Sequence, residues 1–234
     1  MQNKKYRTVA VILAAGIGSR MNSAVTKQQL SVLGKSVLRR TLEAFEDSSE
    51  VDAVVIVSRH EEIEFARNEA NSLSKVEQIV VGGETRAESA KKGFLAAGDD
   101  CGVVMIHDAA RCLITGEKID AVANAAYEHG AASASHSMTD SIKLVEGCFI
   151  LKNIARDTVV SVQTPQAFSA DLYRSALEKA SSLGSEITDD NSLVELVGAK
   201  VFLVDTGKDN IKITDPSDLD LAEFIISKRE ERKE

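Results

Sequence analysis

Small residues followed by cations recur along this chain, and each such place could hold an anion. The first is Gly16-Ile17-Gly18-Ser19-Arg20-Met21, with Lys27 six residues further on. Glycine has no Cβ, so backbone N–H groups in such a loop can come close to a phosphate, while Arg20 and Lys27 neutralise its charge. The dinucleotide fingerprint loses ground here, and the Walker loop fails. Met21 stands where a dinucleotide fingerprint needs its third glycine, Ser58 and Arg59 stand where a ribose-binding acid would end the second strand, and no Gly-Lys-Ser/Thr follows at Walker spacing. On its own, the loop reads equally well as a tight turn carrying two solvated cations.

The second place is Gly82-Gly83-Glu84-Thr85-Arg86-Ala87-Glu88-Ser89, a glycine turn opening a helix, which alone reads as a plain strand–helix connection. The third is His107-Asp108-Ala109-Ala110-Arg111, at the end of an apolar strand. A carboxylate leaving a buried strand beside a polyphosphate is how proteins contribute to an Mg²⁺ site, so Asp108 is the candidate metal ligand, with a cap on the next turn as the alternative. Arg111 follows within reach of the same anion. His107 reads as a positioned structural imidazole, and no Ser/His/Asp or Cys/His nucleophile set is present.

These residues need a scaffold. With 234 residues and a formal charge of −8, the chain is long enough for a sizeable core and is no polybasic nucleic-acid binder. Its 3 Cys have no metal-ligand spacing and point to a reducing, cytoplasmic setting without disulfides. The apolar run Val9–Ala15 is too short to span a bilayer and leads into the glycine loop rather than a cleavage site. Strands are expected at Thr8–Ala14, Ala53–Val57, Val76–Val81 and Val103–Ile106, alternating with helices at Ser36–Phe45, Glu61–Leu73, Arg86–Ala97 and Glu117–His129. That alternation predicts a Rossmann-like α/β fold, a mostly parallel sheet with helices on both faces, whose ligands bind beyond the strands' carboxyl ends. From about Ser137 the pattern changes to a hairpin-like insertion, Ser141–Val145 and Phe149–Ile154 around Glu146-Gly147. Helices at Asp171–Ser181, Asn191–Val197 and Pro216–Lys228, the last capped by Asp215, and a strand at Lys200–Val204 complete one domain over 1–234, with 137–160 as an inserted β-arm.

The stretch Leu13–Met21 with Lys27-Gln28 resembles the signature of sugar-phosphate nucleotidyltransferases, and in particular of the 2-C-methyl-D-erythritol 4-phosphate cytidylyltransferase family. The resemblance implies that the loop, through Ala14, Ala15, Gly16 and Gly18, wraps a nucleoside triphosphate, with Arg20 and Lys27 on its phosphates; Thr26 replaces the usual proline. It implies that Gly82, Gly83, Arg86 and Ser89 read the cytosine base and hold the nucleotide, with Glu84 where Asp is frequent. Asp108 would bind magnesium and Arg111 the acceptor phosphate, Cys112 standing for a proline.

In the same resemblance Thr139-Asp140-Ser141-Ile142-Lys143 places the Ser141 hydroxyl on the acceptor, and Arg156 followed by Thr164-Pro165-Gln166-Ala167-Phe168 adds Arg156 and Thr164 to that group. The hairpin becomes an arm embracing a second subunit, with Arg156 reaching the partner's site, which implies a homodimer. Lys212, in Asn210-Ile211-Lys212-Ile213-Thr214, would face the α-phosphate and the acceptor phosphate together, while Asp190 in Ile187-Thr188-Asp189-Asp190 reads as a helix cap. The likeness runs from about residue 8 to 228.

The activity implied is transfer of CMP from CTP to 2-C-methyl-D-erythritol 4-phosphate, giving 4-diphosphocytidyl-2-C-methyl-D-erythritol and pyrophosphate in non-mevalonate isoprenoid biosynthesis, with Mg²⁺ as cofactor and neither nucleic acid nor membrane as partner. A ribitol 5-phosphate cytidylyltransferase has similar loops. An NAD(P)-dependent oxidoreductase would need the missing glycine and acid, and a silent nucleotide-binding module would bind CTP without turnover.

Overall fold

The computed structural model describes residues 6–16, 26–183 and 189–232. Strand β1 (Arg7–Leu13) is buried from Thr8 onward, because its apolar run offers no polar face and must be covered on both sides. A short antiparallel pair, β2 (Ser31–Val32) and β3 (Lys35–Ser36), leads into helix α1 (Val37–Glu46), capped by Ser36. There follow β4 (Ala53–Ser58), α2 (Ile63–Ala70), β5 (Val76–Val81), α3 (Arg86–Ala96), β6 (Cys101–Asp108) and α4 (Gly116–His129). The second half holds β7 (Ala131–Ser137), β8 (Ile142–Glu146), β9 (Phe149–Ile154), β10 (Val160–Ser169), α5 (Ala170–Leu183), α6 (Asp190–Glu195), β11 (Phe202–Asp205) and α7 (Pro216–Glu231).

Seven strands form one sheet in the order β11-β7-β10-β6-β1-β4-β5. β10 runs antiparallel to both its neighbours, and the other pairs are parallel. This is the expected α/β architecture. Successive residues of a strand face opposite ways, so Ala10, Ile12, Ile56 and Met105 pack with Leu38 and Phe45 of α1 and Val122 of α4. Val11, Val57, Val104 and Ile106 face Phe94 of α3 and Tyr173 of α5. Each of the Val, Leu, Ile, Phe and Met side chains among them contributes about 1.5–3 kcal/mol by leaving water. β8 and β9 pair only with each other, in a separate two-stranded sheet.

The sequence did not announce β7 or β10. β7 reads Ala-Ala-Ser-Ala-Ser-His-Ser, poor in the β-branched and aromatic types that mark strands, and β10 carries Pro165, which cannot donate to a ladder. The β10–β7 register shifts between Val162 and Gln166, around the cis Thr164–Pro165 bond. The expected helix over Glu61–Leu73 is shorter, a 3₁₀ turn at His60–Glu62 followed by α2. The final helix starts as expected: Asp215 caps it, and Asp218 returns a carboxylate to the Asp215 N–H, closing a capping box.

Candidate active site

β6 delivers Asp108 to the carboxyl end of the sheet, beside the end of β1, where the Ala109 N–H donates to the Leu13 carbonyl at 3.1 Å. The Asp108 carboxylate meets a cation at each oxygen. Arg86 Nε donates to Oδ1 at 3.2 Å, and Lys212 Nζ donates to Oδ2 at 2.7 Å. Burial by itself would raise the carboxyl's pKa, but the charges of Arg86 and Lys212 outweigh it and hold the group well below the usual carboxylate range. The site thus gathers one residue from β6, one from the start of α3 and one from the segment before α7.

Each cation is placed by its own element. Thr85 caps α3 by accepting from the Glu88 N–H, which puts Arg86 in the first turn. Its guanidinium also donates from NH1 to Asp190 Oδ2 at 2.7 Å, and although burial works against its charge, Asp190 and Asp108 together raise its pKa. Lys212 is held by its neighbour, since the Ile213 N–H donates to the Ala110 carbonyl at 2.8 Å. Asp209 anchors the same segment between Lys118 of α4 and Arg229 of α7, and these two partners, opposing the effect of burial, pull its carboxyl down to about 2.

Above Asp108 lies an open cleft of about 650 Å³. Ala15 and Gly16, following β1, form one wall with Lys27 and Gln28; Gly82 and Gly83, following β5, form another with Arg86 and Ser89. A side chain on Gly82 has no room: its Cβ would lie 2.8 Å from both Ala15 Cβ and Ser89 Oγ. Ser89 Oγ accepts from the Gly83 N–H at 3.0 Å, fixing the turn at the mouth of α3. Small residues here bring two backbone segments together at the strand ends, leaving cleft where larger side chains would stand.

A buried polar layer on β10 supports this floor. Thr164 Oγ1 accepts from the Asp108 N–H at 3.0 Å and lies 3.1 Å from His107 Nδ1. The Arg111 carbonyl, 3.3 Å from Nε2, can only accept, so the neutral imidazole carries its proton on Nε2 and its Nδ1 accepts from the Thr164 hydroxyl. The imidazole is fully buried and pushed down to about 3, chiefly by desolvation; it is a neutral brace, as the sequence suggested, and no base. Gln163 Oε1 accepts from Thr206 at 2.7 Å and from Asn210 at 3.0 Å, and Gln166 Oε1 accepts from the N–H groups of Asp190 and Asn191. One strand therefore ties together β6, the start of α6 and the segment that bears Lys212.

A family model described as 2-C-methyl-D-erythritol 4-phosphate cytidylyltransferase matches residues 8–228. The chain belongs to this family. A 2-C-methyl-D-erythritol 4-phosphate cytidylyltransferase of Pelotomaculum thermopropionicum is 41% identical over 230 residues, covering 97% of each chain. One of Clostridium perfringens is 36% identical over 94% of this chain and 99% of its own. Among solved structures, the 4-diphosphocytidyl-2C-methyl-D-erythritol synthase of Anaerococcus prevotii superposes with a TM-score of 0.86 at 27% identity, over 96% of this chain and 100% of that one. The 2-C-methyl-D-erythritol 4-phosphate cytidylyltransferase of Thermus thermophilus superposes with a TM-score of 0.75 at 31% identity, over 93% of this chain and 98% of that one.

Of the residues expected to work in a member of this cytidylyltransferase family, Ala15, Gly16, Lys27, Gly82, Gly83, Arg86, Ser89, Asp108 and Lys212 line the one cleft. Gly18 and Arg20 lie outside the described residues. Ala14 and Thr164 do not line the cleft. Ala14 is buried in the core, its N–H donating to the Val57 carbonyl, so it supports the wall without lining it. Thr164 is buried with its hydroxyl on the Asp108 N–H and His107 Nδ1, so it braces the site from beneath.

Arg111 sits beside the cleft, half-buried, with NH1 on the Asn210 carbonyl at 2.9 Å and a buried Nε without a partner among the described residues. Burial lowers its pKa. Ser141 is exposed next to β8, and Arg156, in a 3₁₀ turn after β9, donates to the Thr139 carbonyl at 3.0 Å; neither lines the cleft of its own chain. Asp190 was expected to be a cap, but the cap is Asp189, whose side chain accepts from the Ser192 N–H, and Asp190 turns inward to Arg86. Tyr173 of α5, which donates to Asp190 at 2.6 Å, carried no signal in the sequence beyond its place on an apolar helix face.

Proposed function

We propose that this chain transfers CMP from CTP to 2-C-methyl-D-erythritol 4-phosphate, releasing pyrophosphate and supplying non-mevalonate isoprenoid synthesis. The observation that carries the reading is the convergence of Arg86, Lys212 and Lys27 on one small-residue cleft above Asp108, in a chain whose family does this chemistry. An acceptor phosphate oxygen attacks the α-phosphorus of CTP; a new P–O bond forms as the bond to the β-phosphate oxygen breaks, and pyrophosphate leaves with its electrons. No protein base is required, because a phosphate monoester with a second pKa near about 6 is already largely a dianion at neutral pH. The barrier is the approach of a dianion to a triphosphate, so catalysis rests on positioning and charge.

In this reading Ala15, Gly16, Gly82, Gly83 and Ser89 form the nucleotide's cradle, and Lys27, Arg86 and, from the loop, Arg20 meet its charges. Lys212, at the floor, stabilises the charge that builds on the α-phosphate, and Arg111 holds the acceptor phosphate. The donor set fits a divalent cation held mostly by substrate oxygens: Asp108 offers one carboxylate at the cleft floor, and the described residues contain no group of three or more His, Cys, Asp or Glu placed for a metal. Mg²⁺ bound there with the triphosphate would neutralise its charge, with Asp108 as the protein ligand.

We also assign 1–234 as one nucleotidyltransferase domain with 137–160 as an arm that pairs two copies, bringing Arg156 to the partner's acceptor site. Three cysteines without disulfides support a cytoplasmic enzyme. Among the described residues, no helix is long and apolar enough to cross a membrane. Pyrophosphate release measured with CTP, Mg²⁺ and each acceptor in turn tests the assignment. Turnover with 2-C-methyl-D-erythritol 4-phosphate is expected, and turnover on ribitol 5-phosphate alone would overturn the substrate.

A further inference from the structure

Asp190 takes no part in the chemistry above, yet it is 3% exposed, more deeply buried than Asp108. A carboxylate so placed is costly unless its charge is matched, and here Arg86 NH1 matches it at 2.7 Å. Its other oxygen accepts from Tyr173 OH at 2.6 Å. Tyr173 is itself immobilised, stacked on Phe168 with ring centroids 5.5 Å apart and edge-on to Phe94 at 5.0 Å. The Asp190 backbone is held by Gln166 at 3.0 Å. Everything around this carboxylate fixes where it points, and it points at Arg86.

We propose that Asp190 is a positioning residue for the nucleotide subsite, acting through Arg86. The guanidinium is a planar fork with five N–H donors. Asp108 takes Nε and Asp190 takes NH1, so two anchors on different nitrogens set the plane of the fork. That leaves NH2, which has no partner among the described residues, for a ligand in the cleft that Arg86 lines. Without Asp190, Arg86 keeps a single anchor, one it shares with Lys212, and the fork turns about it. Asp190 comes from α6, in the second half of the chain, and Arg86 from α3, in the first; the bond between them locks the nucleotide wall to α6.

The inference rests on the nucleotidyl-transfer reading, and the test separates the two. Wild-type enzyme is assayed first with CTP and acceptor, and an inactive wild type counts against the reaction itself. In an active enzyme, Asp190→Asn is expected to raise the KM for CTP by about tenfold or more while the acceptor KM stays within about twofold, because only the nucleotide's partner has lost its anchor. Calorimetric titration of CTP without acceptor should show the same weakening. Tyr173→Phe, which removes one hydrogen bond at nearly constant shape, should raise the CTP KM by about two- to fivefold and spare the acceptor. Asp190→Asn combined with Arg86→Lys should be no worse than Arg86→Lys alone. An unchanged CTP KM in Tyr173→Phe, equal rises in both KM values, or multiplying effects of the Asp190 and Arg86 changes would each overturn the proposal.

Discussion

At the scale of single residues, Lys212 is marked by the buried carboxylate 2.7 Å from its Nζ. Asp108 holds it at the floor of the cleft, already dehydrated in part and aimed, so little reorganisation is left when charge develops on a substrate. Lys212→Ala should therefore lower kcat by about 10²–10³-fold. The fold should remain, because Arg86 still satisfies Asp108 and the Lys212 side chain is more than a third exposed. Steady-state kinetics and an unchanged circular dichroism spectrum check this together; an unaltered rate would remove Lys212 from the mechanism. Lys212 was reached only through the family resemblance, whereas Lys27, Arg86 and Asp108 were legible as charged residues following the strands. The inward turn of Asp190 was not, since two adjacent aspartates before a helix are locally equivalent and only the packing of α6 beside Gln166 and Tyr173 chooses between them.

At the scale of elements, α3 presents Arg86 in its first turn at the carboxyl end of the sheet, and its position is set by lying close on β1 and β4. Gly93 marks the contact. A Cβ there would sit 2.8 Å from Val57 Cγ2 and press on Val11 as well. In an exposed helix Gly→Ala stabilises by roughly 0.5–1 kcal/mol, but Gly93→Ala should destabilise by about 1–3 kcal/mol through overpacking, read as a lower urea midpoint. A higher midpoint would show that the helix is not pressed on the sheet. β10 teaches the complementary lesson. Its proline and glutamines disguise it as a loop, yet the same Gln163, Thr164 and Gln166 supply the hydrogen bonds that hold three other segments, so the composition that hid the strand is the composition its task requires.

At the scale of the whole molecule, the β8–β9 arm stands apart from the main sheet and exposes Leu144, Val145, Ile150, Leu151 and, at 78%, Phe149. Large apolar side chains clustered on a two-stranded ribbon are unstable against water alone, and a second copy would cover them. If the arm pairs two subunits, Phe149→Asp with Ile150→Asp shifts sedimentation from dimer to monomer and lowers activity at the acceptor side, because Arg156 no longer reaches a partner. A variant that remains a fully active dimer would remove the arm from the interface.

The amino-acid order by itself determined the alternation of β1, α1, β4, β5, α3 and β6, the glycine turns, and the cations that follow them, since local periodicity and the missing Cβ of glycine act over a few residues. It also carried the likeness to the family. Only the tertiary structure decided that Arg86, Asp108, Asp190 and Lys212, scattered over more than a hundred residues, share one charge network, that Thr164 supports the floor instead of facing the cleft, and that a proline-bearing segment is a central strand. Those outcomes depend on which buried polar group finds which partner once water is excluded, a matter of packing between distant segments that no local pattern encodes.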